Sequence, residues 1–339
     1  MPSIWTERLQ AGSRRDLARM LTLVEREAPE AASLLDEAYH IAGNAHVVGV
    51  TGPPGTGKST LVAAMARAFR DNGQTVAVLA VDPSSPFSGG ALLGDRVRMG
   101  ALYGDRGVFI RSAAARGTLG GLAKTSSGMI CVLDAAGFDI ILVETVGAGQ
   151  SEVAIAGAAH TTIVVQSPNT GDGVQAIKAG ILEIADVIVV NKADLPTAAN
   201  TVRALRGMLD ITSGGVGHHH PDVQQPMEKS SNNTWDVMLV ETVATTGDGI
   251  DSLLAAIHEH REHEAQTGYR IQRDRATAQE RVFGDLKEKL LEELQNQVSH
   301  AVLDGIIEDV ARREMSPAQA VDAALQARKQ IKTSATSTT

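Results

Sequence analysis

The 339-residue chain lacks several things, and each absence closes off a class of function. It holds a single cysteine, Cys131, so no disulfide can form within it and a reducing compartment suits it. Only 3% of its residues are aromatic, which leaves little for stacking nucleic-acid bases. Basic residues are outnumbered, 31 against 40 acidic ones, and a net charge of −9 repels a phosphate backbone. No apolar run nears the roughly 18 residues that a membrane span takes. The first residues show no charged-then-apolar leader, and Glu7, Asp16, Glu25 and Glu27 are acids that a transit peptide avoids. These absences predict a cytoplasmic protein that works on neither nucleic acid nor membrane.

What is present points to an α/β domain. Hydrophobic residues make up 43% of the chain, ample for a sizeable core. Apolar strand-like runs fall at 46–51, 75–82, 108–112, 139–144, 161–167, 186–191 and 236–241. Most are nearly continuous in Val, Ile and Leu, the pattern of strands buried on both faces. Helical patterns lie between them, so a mainly parallel sheet flanked by helices is expected. Functional loops then belong at the carboxyl ends of the strands. Residues 1–45 read as a helical extension, with Leu17, Met20, Leu21 and Val24 at helical spacing, as are Leu34, Leu35 and Ala38. The strand-bearing domain spans 46–262, a helical arm 263–330, and a disordered tail 331–339. Ser316-Pro317 reads as a helix start. The Gly/His/Asn-rich stretch 213–234 reads as an exposed loop, and Cys131 as a core residue of an apolar helix.

The strongest motif is Gly52-Pro53-Pro54-Gly55-Thr56-Gly57-Lys58-Ser59, followed by Thr60. It matches G-x-x-x-x-G-K-[ST] between an apolar strand and an Ala/Leu-rich helix, the setting of a phosphate-binding loop. Its glycines turn backbone N–H groups onto phosphate oxygens, and the helix N-terminus adds its positive end. Lys58 reaches the β- and γ-phosphates, and Ser59 reaches Mg²⁺. The bound species is a nucleoside triphosphate.

Asn191-Lys192-Ala193-Asp194 follows a strand and matches N-K-x-D. The Asp194 carboxylate can accept two hydrogen bonds from the donor edge of guanine, which adenine does not offer. Such a site rejects the wrong base because its own groups stay unpaired. The loop 243–247, with Ala244 and Thr245, closes over the base through its backbone. Three carboxylates are placed to approach Mg²⁺: Asp82 at a strand end, Asp95 in Leu93-Gly94-Asp95-Arg96, and Glu144 at another strand end. Gly147 can donate its N–H to the γ-phosphate and so sense hydrolysis. No arginine stands out as a finger supplied in cis, so slow intrinsic turnover is expected.

These motifs, with VDPSSPFSGGALLGDRVRM, FIRSAAARGTLGGL and ETVGAGQSE, resemble the MeaB/ArgK/MMAA family in order and spacing, from about Gly12 to about residue 330. The resemblance implies a P-loop NTPase fold of the SIMIBI class with helical N- and C-terminal extensions. It implies a GTPase, using GTP/GDP and Mg²⁺, that serves an adenosylcobalamin-dependent acyl-CoA mutase and forms a homodimer through its helical extensions. The stretch from Asp82 to Met99 is similar to the family's first switch and that from Glu144 to Glu152 to its second. The stretch from Gly171 to Lys178 is similar to a third switch that faces the mutase, with Gln175 and Lys178 as candidate catalytic couplers. There the chain reads Ser167-Pro168-Asn169-Thr170-Gly171-Asp172-Gly173-Val174-Gln175, where the family pattern is close to P-G-x-G-D-E-L-Q. Gly173-Val174 in place of an acidic-apolar pair means that the client need not be the methylmalonyl-CoA enzyme, and a methylmalonyl-CoA, isobutyryl-CoA or 2-hydroxyisobutyryl-CoA mutase is expected. A metal-insertion GTPase of the same class is the alternative, through His218-His219-His220. A protein kinase is the third reading, and N-K-x-D argues against the ATP it needs.

Overall fold

Strands with Val, Ile and Leu on both faces must be covered on both faces, and here they are. The computed structural model describes residues 4–10, 12–83, 99–102, 104–115, 119–145, 156–168, 183–213 and 235–336. Its strands are β1 (His46–Thr51), β2 (Val76–Pro83), β3 (Val108–Ala115), β4 (Ile140–Thr145), β5 (Thr161–Gln166), β6 (Val187–Asn191) and β7 (Met238–Thr242). They form one sheet in the order β3-β2-β4-β1-β5-β6-β7, and each pairing is parallel. Every position of β1, β4, β5 and β6 is buried. The chain winds to one side through β2 and β3 and to the other through β5, β6 and β7. The reversal lies beside β1 and β4, where doubly wound sheets bind ligands at their carboxyl ends.

One face is covered by α4 (Lys58–Asp71) and, after β7, by a helix numbered α7 below (Ile250–Thr267). Leu61, Met65, Leu253 and Ile257 pack there on Val48, Val50, Leu142 and Ile163. The other face carries α1 (Ile4–Gln10), α2 (Arg14–Glu25), α3 (Pro29–Ile41) and α5 (Leu119–Ala135). The helically spaced Leu17, Met20, Leu21 and Val24 of α2 are all buried, and Cys131 is half-buried against this core. α6 (Ala198–Ser213) lays Val202 and Leu205 on Val164, Ile188 and Val190. The Asp134 carboxylate accepts from the N–H groups of Gly43, Asn44 and Ala45 at 2.7, 3.1 and 3.0 Å, which pins the chain entering β1. The last strand begins at Met238 rather than 236, because its neighbour β6 begins at Val187, which is in register with Met238; ahead of it Trp235 donates its indole N–H to Asp186 O at 2.8 Å.

The chain divides into two compact units, Met1–Thr277 and Ala278–Thr339. α8 (Tyr269–Gln297) spans the boundary, and α9 (His300–Ala311) and α10 (Pro317–Thr336) lie in the second unit. α10 starts where Ser316-Pro317 predicts. Ser316 Oγ accepts from Gln319 N at 3.2 Å, and Gln319 Oε1 accepts from Ser316 N at 2.9 Å. The helix then runs into the stretch expected to be a disordered tail. That stretch holds neither Gly nor Pro to stop it. Among the described residues, no helix is long and apolar enough to cross a membrane.

A buried polar layer closes the amino end of the sheet. His46 Nε2 and His260 Nδ1 both meet Thr161 Oγ1 at 2.9 Å, and His260 Nε2 lies 3.4 Å from Asp186 Oδ1. His160 Nδ1 accepts from Val47 N at 3.0 Å. Burial, helped by neighbouring positive charge, drives His46 down to about 2 and His160 to about 3. Burial also lowers His260, against the pull of Asp186. On α7, burial pushes the Glu264 carboxyl up to about 7.

These groups titrate with opposite effect. The histidines stabilise the fold above their unfolded value of 6.5, and that contribution is lost as pH falls toward 3. Glu264 contributes fully below 4.5, and its contribution is lost as pH rises through 7. Between pH 7 and pH 5 His46, His160 and Glu264 are each worth about 1–3 kcal/mol, two histidines against one carboxyl. Stability therefore falls on acidification over this window. In urea unfolding at the two pH values, His46→Gln is expected to shrink the fall and Glu264→Gln to deepen it.

Candidate functional site

At the carboxyl end of β1 the chain turns into the phosphate-loop motif. Gly52 has φ 139°, and a side chain there would strike Val165 O of β5. Gly57, with φ 91°, caps the N-terminus of α4, and a side chain there would strike the Asn191 carboxamide. Only glycine fits either place. Lys58 is buried, and its Nζ donates to Gly52 O at 2.8 Å and Pro53 O at 3.0 Å. Thr56 Oγ1 also donates to Pro53 O, at 2.9 Å. The ammonium thus sits inside the loop that its own carbonyls shape. Pro54 and Gly55 are exposed at the tip, and Thr60 is half-buried in the first turn of α4.

Ser59 Oγ donates to Glu144 Oε1 at 2.6 Å, and both residues are buried. This joins the start of α4 to the end of β4. One residue on, Thr145 Oγ1 donates to Thr51 Oγ1 at 3.1 Å and ties the ends of β4 and β1 together. A hydroxyl and a carboxylate beside a lysine, at a helix N-terminus, are the donor set that a hard cation and a phosphate need. The residues present therefore fit Mg²⁺. Asp82 lies near the end of β2, whose Ala80 is in register with Glu144.

The N-K-x-D stretch ends β6 and lies across from the phosphate loop. Asn191 Nδ2 donates to Thr56 O at 2.8 Å, while Asn191 Oδ1 accepts from Thr242 Oγ1 at 3.2 Å and from Ala244 N at 3.1 Å. Lys192 takes a left-handed φ of 61° and donates from Nζ to Gly55 O at 2.7 Å. Asp194 is exposed and available to a ligand. Ala244 is buried and Thr245 exposed in the turn after β7, which closes on itself between Val243 and Asp248. The structure thus brings Gly52–Ser59, Glu144, Asn191, Lys192 and Ala244 together at one end of the sheet. Asp95, Gly147, Gln175, Lys178 and the His218-His219-His220 tract lie outside the described residues. The hydroxyls of Thr51, Thr145 and Thr242 went unread in the sequence. Their signal is a threonine ending an otherwise apolar strand.

Residues 17–299 match the family model described as methylmalonyl-CoA mutase-associated GTPase MeaB. The chain belongs to the MeaB family. It is a GTPase, as its curated relatives in this family are named. A putative GTPase of Pyrococcus horikoshii is 42% identical over 320 residues, covering 94% of this chain and 96% of that protein. The GTPase ArgK of Escherichia coli is 44% identical over 191 residues, 55% of this chain and 58% of that one. The mouse protein named methylmalonic aciduria type A homolog, mitochondrial, is 31% identical over 334 residues, 94% of this chain and 77% of its own. A crystal structure described as an LAO/AO transport system kinase superposes with a TM-score of 0.69 at 27% identity, covering 95% of each chain. The P-loop fold of the MeaB family accounts for the parallel sheet and for the end of it that carries the site.

Removing the Asn191 side chain should strand the buried Thr56 carbonyl and Ala244 amide. Asn191→Ala is expected to cost about 2–3 kcal/mol in urea unfolding without nucleotide. A loss under about 0.5 kcal/mol would mean that these bonds contribute nothing.

Proposed function

We propose that this MeaB-family GTPase is a chaperone that gates adenosylcobalamin loading, protection or repair in an acyl-CoA mutase. The observation that carries this reading is the match to a mutase-associated GTPase family over residues 17–299. The site geometry supports the nucleotide half. Lys58 neutralises charge on the β- and γ-phosphates from within the loop. Ser59 and Glu144, with Asp82 and Asp95, would hold Mg²⁺, which when bound neutralises charge on the phosphate oxygens. Asp194 reads guanine, and Asn191 holds the base side and the phosphate side at a fixed distance. Lys192 covers the base with its stem, and Ala244 and Thr245 close the far edge.

Hydrolysis breaks the bond between the γ-phosphorus and the bridging oxygen of GDP while water adds in line. Little covalent work falls to the protein, so positioning and charge do most of it. Gly147, in the second switch, donates its N–H to the γ-phosphate and loses that bond on hydrolysis. The third switch, with Gln175 and Lys178, passes the change to the mutase. The client is a mutase of the methylmalonyl-CoA, isobutyryl-CoA or 2-hydroxyisobutyryl-CoA type, and the departure at Gly173-Val174 leaves room for the latter two. Without its partner the GTPase turns over slowly, in keeping with switch proteins that await a second chain.

We also infer a homodimer in the cytoplasm. Val282, Phe283, Leu286 and Leu290 of α8 recur at helical spacing and are 64%, 52%, 47% and 44% exposed. An apolar stripe of this kind is suited to a second copy.

Steady-state GTP hydrolysis is expected to rise at least about tenfold with one cobalamin mutase and not with the others. No acceleration by any of them would remove the chaperone reading and leave the GTPase intact. Asp194→Asn is expected to shift preference from guanine to xanthine nucleotides by about two orders of magnitude, measured by competition binding. Unchanged GTP selectivity would take Asp194 out of the base site.

A further inference from the structure

The pairing of β1 with β4 runs from His46 opposite Ile140 to Val50 opposite Glu144. One residue further, at the last position of each strand, it is carried on by side chains, where Thr145 Oγ1 donates to Thr51 Oγ1 at 3.1 Å. The outer edge of each residue is still in the sheet, Thr51 opposite Val164 of β5 and Thr145 opposite Val81 of β2. The hydroxyl bond therefore closes the inner edge, at the place where the sheet winds away to its two sides. Both threonines are buried, at 1% and 0% exposure. Valine is nearly the same shape and would fill the same space with no polar atom to satisfy. A buried hydroxyl is costly unless it is bonded, so packing alone gives no reason for a threonine at either position.

The neighbours of the pair supply a reason. On the β1 side the next residue is Gly52, whose carbonyl accepts from Lys58 Nζ at 2.8 Å. On the β4 side the preceding residue is Glu144, whose Oε1 accepts from Ser59 Oγ at 2.6 Å. Lys58 and Ser59 open α4. A closed ring results, from Glu144 to Thr145, across the hydroxyls to Thr51 and Gly52, through Lys58 to Ser59, and back to Glu144. It contains the ammonium suited to phosphate and the hydroxyl and carboxylate suited to Mg²⁺. Lys58 and Ser59 must share their polar atoms with a ligand when one binds, and the buried threonine pair does not. The hydroxyl bond is thus the part of the ring that stays committed to holding the acid against the loop. Loss of it lets the two strand ends shift, and small misplacements of reacting groups are costly in rate.

We propose that Thr145 and Thr51 are positioning residues for GTP hydrolysis, their bond holding Glu144 in register with the phosphate loop. This rests on the reading of Ser59 and Glu144 as the Mg²⁺ pair.

The test measures single-turnover GTP hydrolysis, Mn²⁺ affinity of the GDP complex from the paramagnetic resonance of the free ion, GDP affinity in excess chelator, and urea unfolding, all in the full chain. Thr145→Val is expected to lower the rate about tenfold and to weaken Mn²⁺ about fivefold, with GDP affinity in chelator within about twofold. Thr145→Ser keeps the hydroxyl and should stay within about threefold of wild type in rate and Mn²⁺ affinity. The double variant Thr51→Val with Thr145→Val strands no polar group, so its urea midpoint should return toward wild type while rate and Mn²⁺ affinity stay low. That separation of rate from stability supports the proposal, and it decides the matter where Thr145→Val alone does not fold. A double variant that regains rate along with stability overturns the proposal, because the bond then serves only its own hydroxyls. Thr145→Ser as slow as Thr145→Val overturns it too, leaving the methyl group as the cause. Ser59→Ala separates the two levels. Wild-type Mn²⁺ affinity in Ser59→Ala removes the metal reading and the proposal with it. Weakened Mn²⁺ there, beside wild-type rate and affinity in the threonine variants, leaves the metal pair standing and overturns the proposal alone.

Discussion

β1 is hydrogen-bonded along both edges, to β4 and β5, and is buried at every residue. A strand so confined can shift only if the sheet shifts. The phosphate loop grows directly out of it and inherits its position. Gly52 packs against the β5 backbone too closely for any side chain, so even the first turn of the loop is set by the sheet. From there the constraint spreads through side chains. Lys58 is held by loop carbonyls, Ser59 by the acid ending β4, and Asn191 by the loop on one side and the β7 turn on the other. A catalyst that works by positioning needs such a frame more than it needs reactive groups.

The two ends of the sheet have been put to different uses. The carboxyl end carries glycines, a lysine and short hydroxyls bonded to the phosphate loop and to the strand ends around it. The amino end carries large polar side chains turned inward on one another: three histidines, Asp186, Glu264 and Arg273. Burial keeps the histidines neutral, so they serve as hydrogen-bond partners rather than as charges. Since the strand pairings are all parallel, each connection leaves from the first end and returns to the second, the one between β4 and β5 included.

Much of this was legible in the sequence, for identifiable reasons. Continuous apolar runs located all seven strands to within a few residues, because parallel strands buried on both faces leave little ambiguity. The phosphate loop and N-K-x-D were legible because their chemistry is local. The bond from Asn191 to Thr56 was not, since it joins residues 135 apart. The amino-end cluster was missed for the same reason. His46, His160 and His260 are scattered singly through the chain, and only the strand order brings them together. The start of β7 is set by where β6 begins, at Val187 opposite Met238, which no local propensity encodes. Residues 331–336 read as a tail because their composition is polar, and α10 continues through them where no residue breaks the helix.

Trp235 has a consequence of another kind. Its ring lies 4.8 Å from that of His260 and 5.3 Å from that of His263, and the chain has only one other tryptophan, Trp5. An indole emits differently beside a neutral imidazole and beside a charged one. With Trp5→Phe in the background, the protein carries its own optical gauge at the amino end of the sheet. Events at the nucleotide end that reach across the fold would register as colour and intensity, with no label attached.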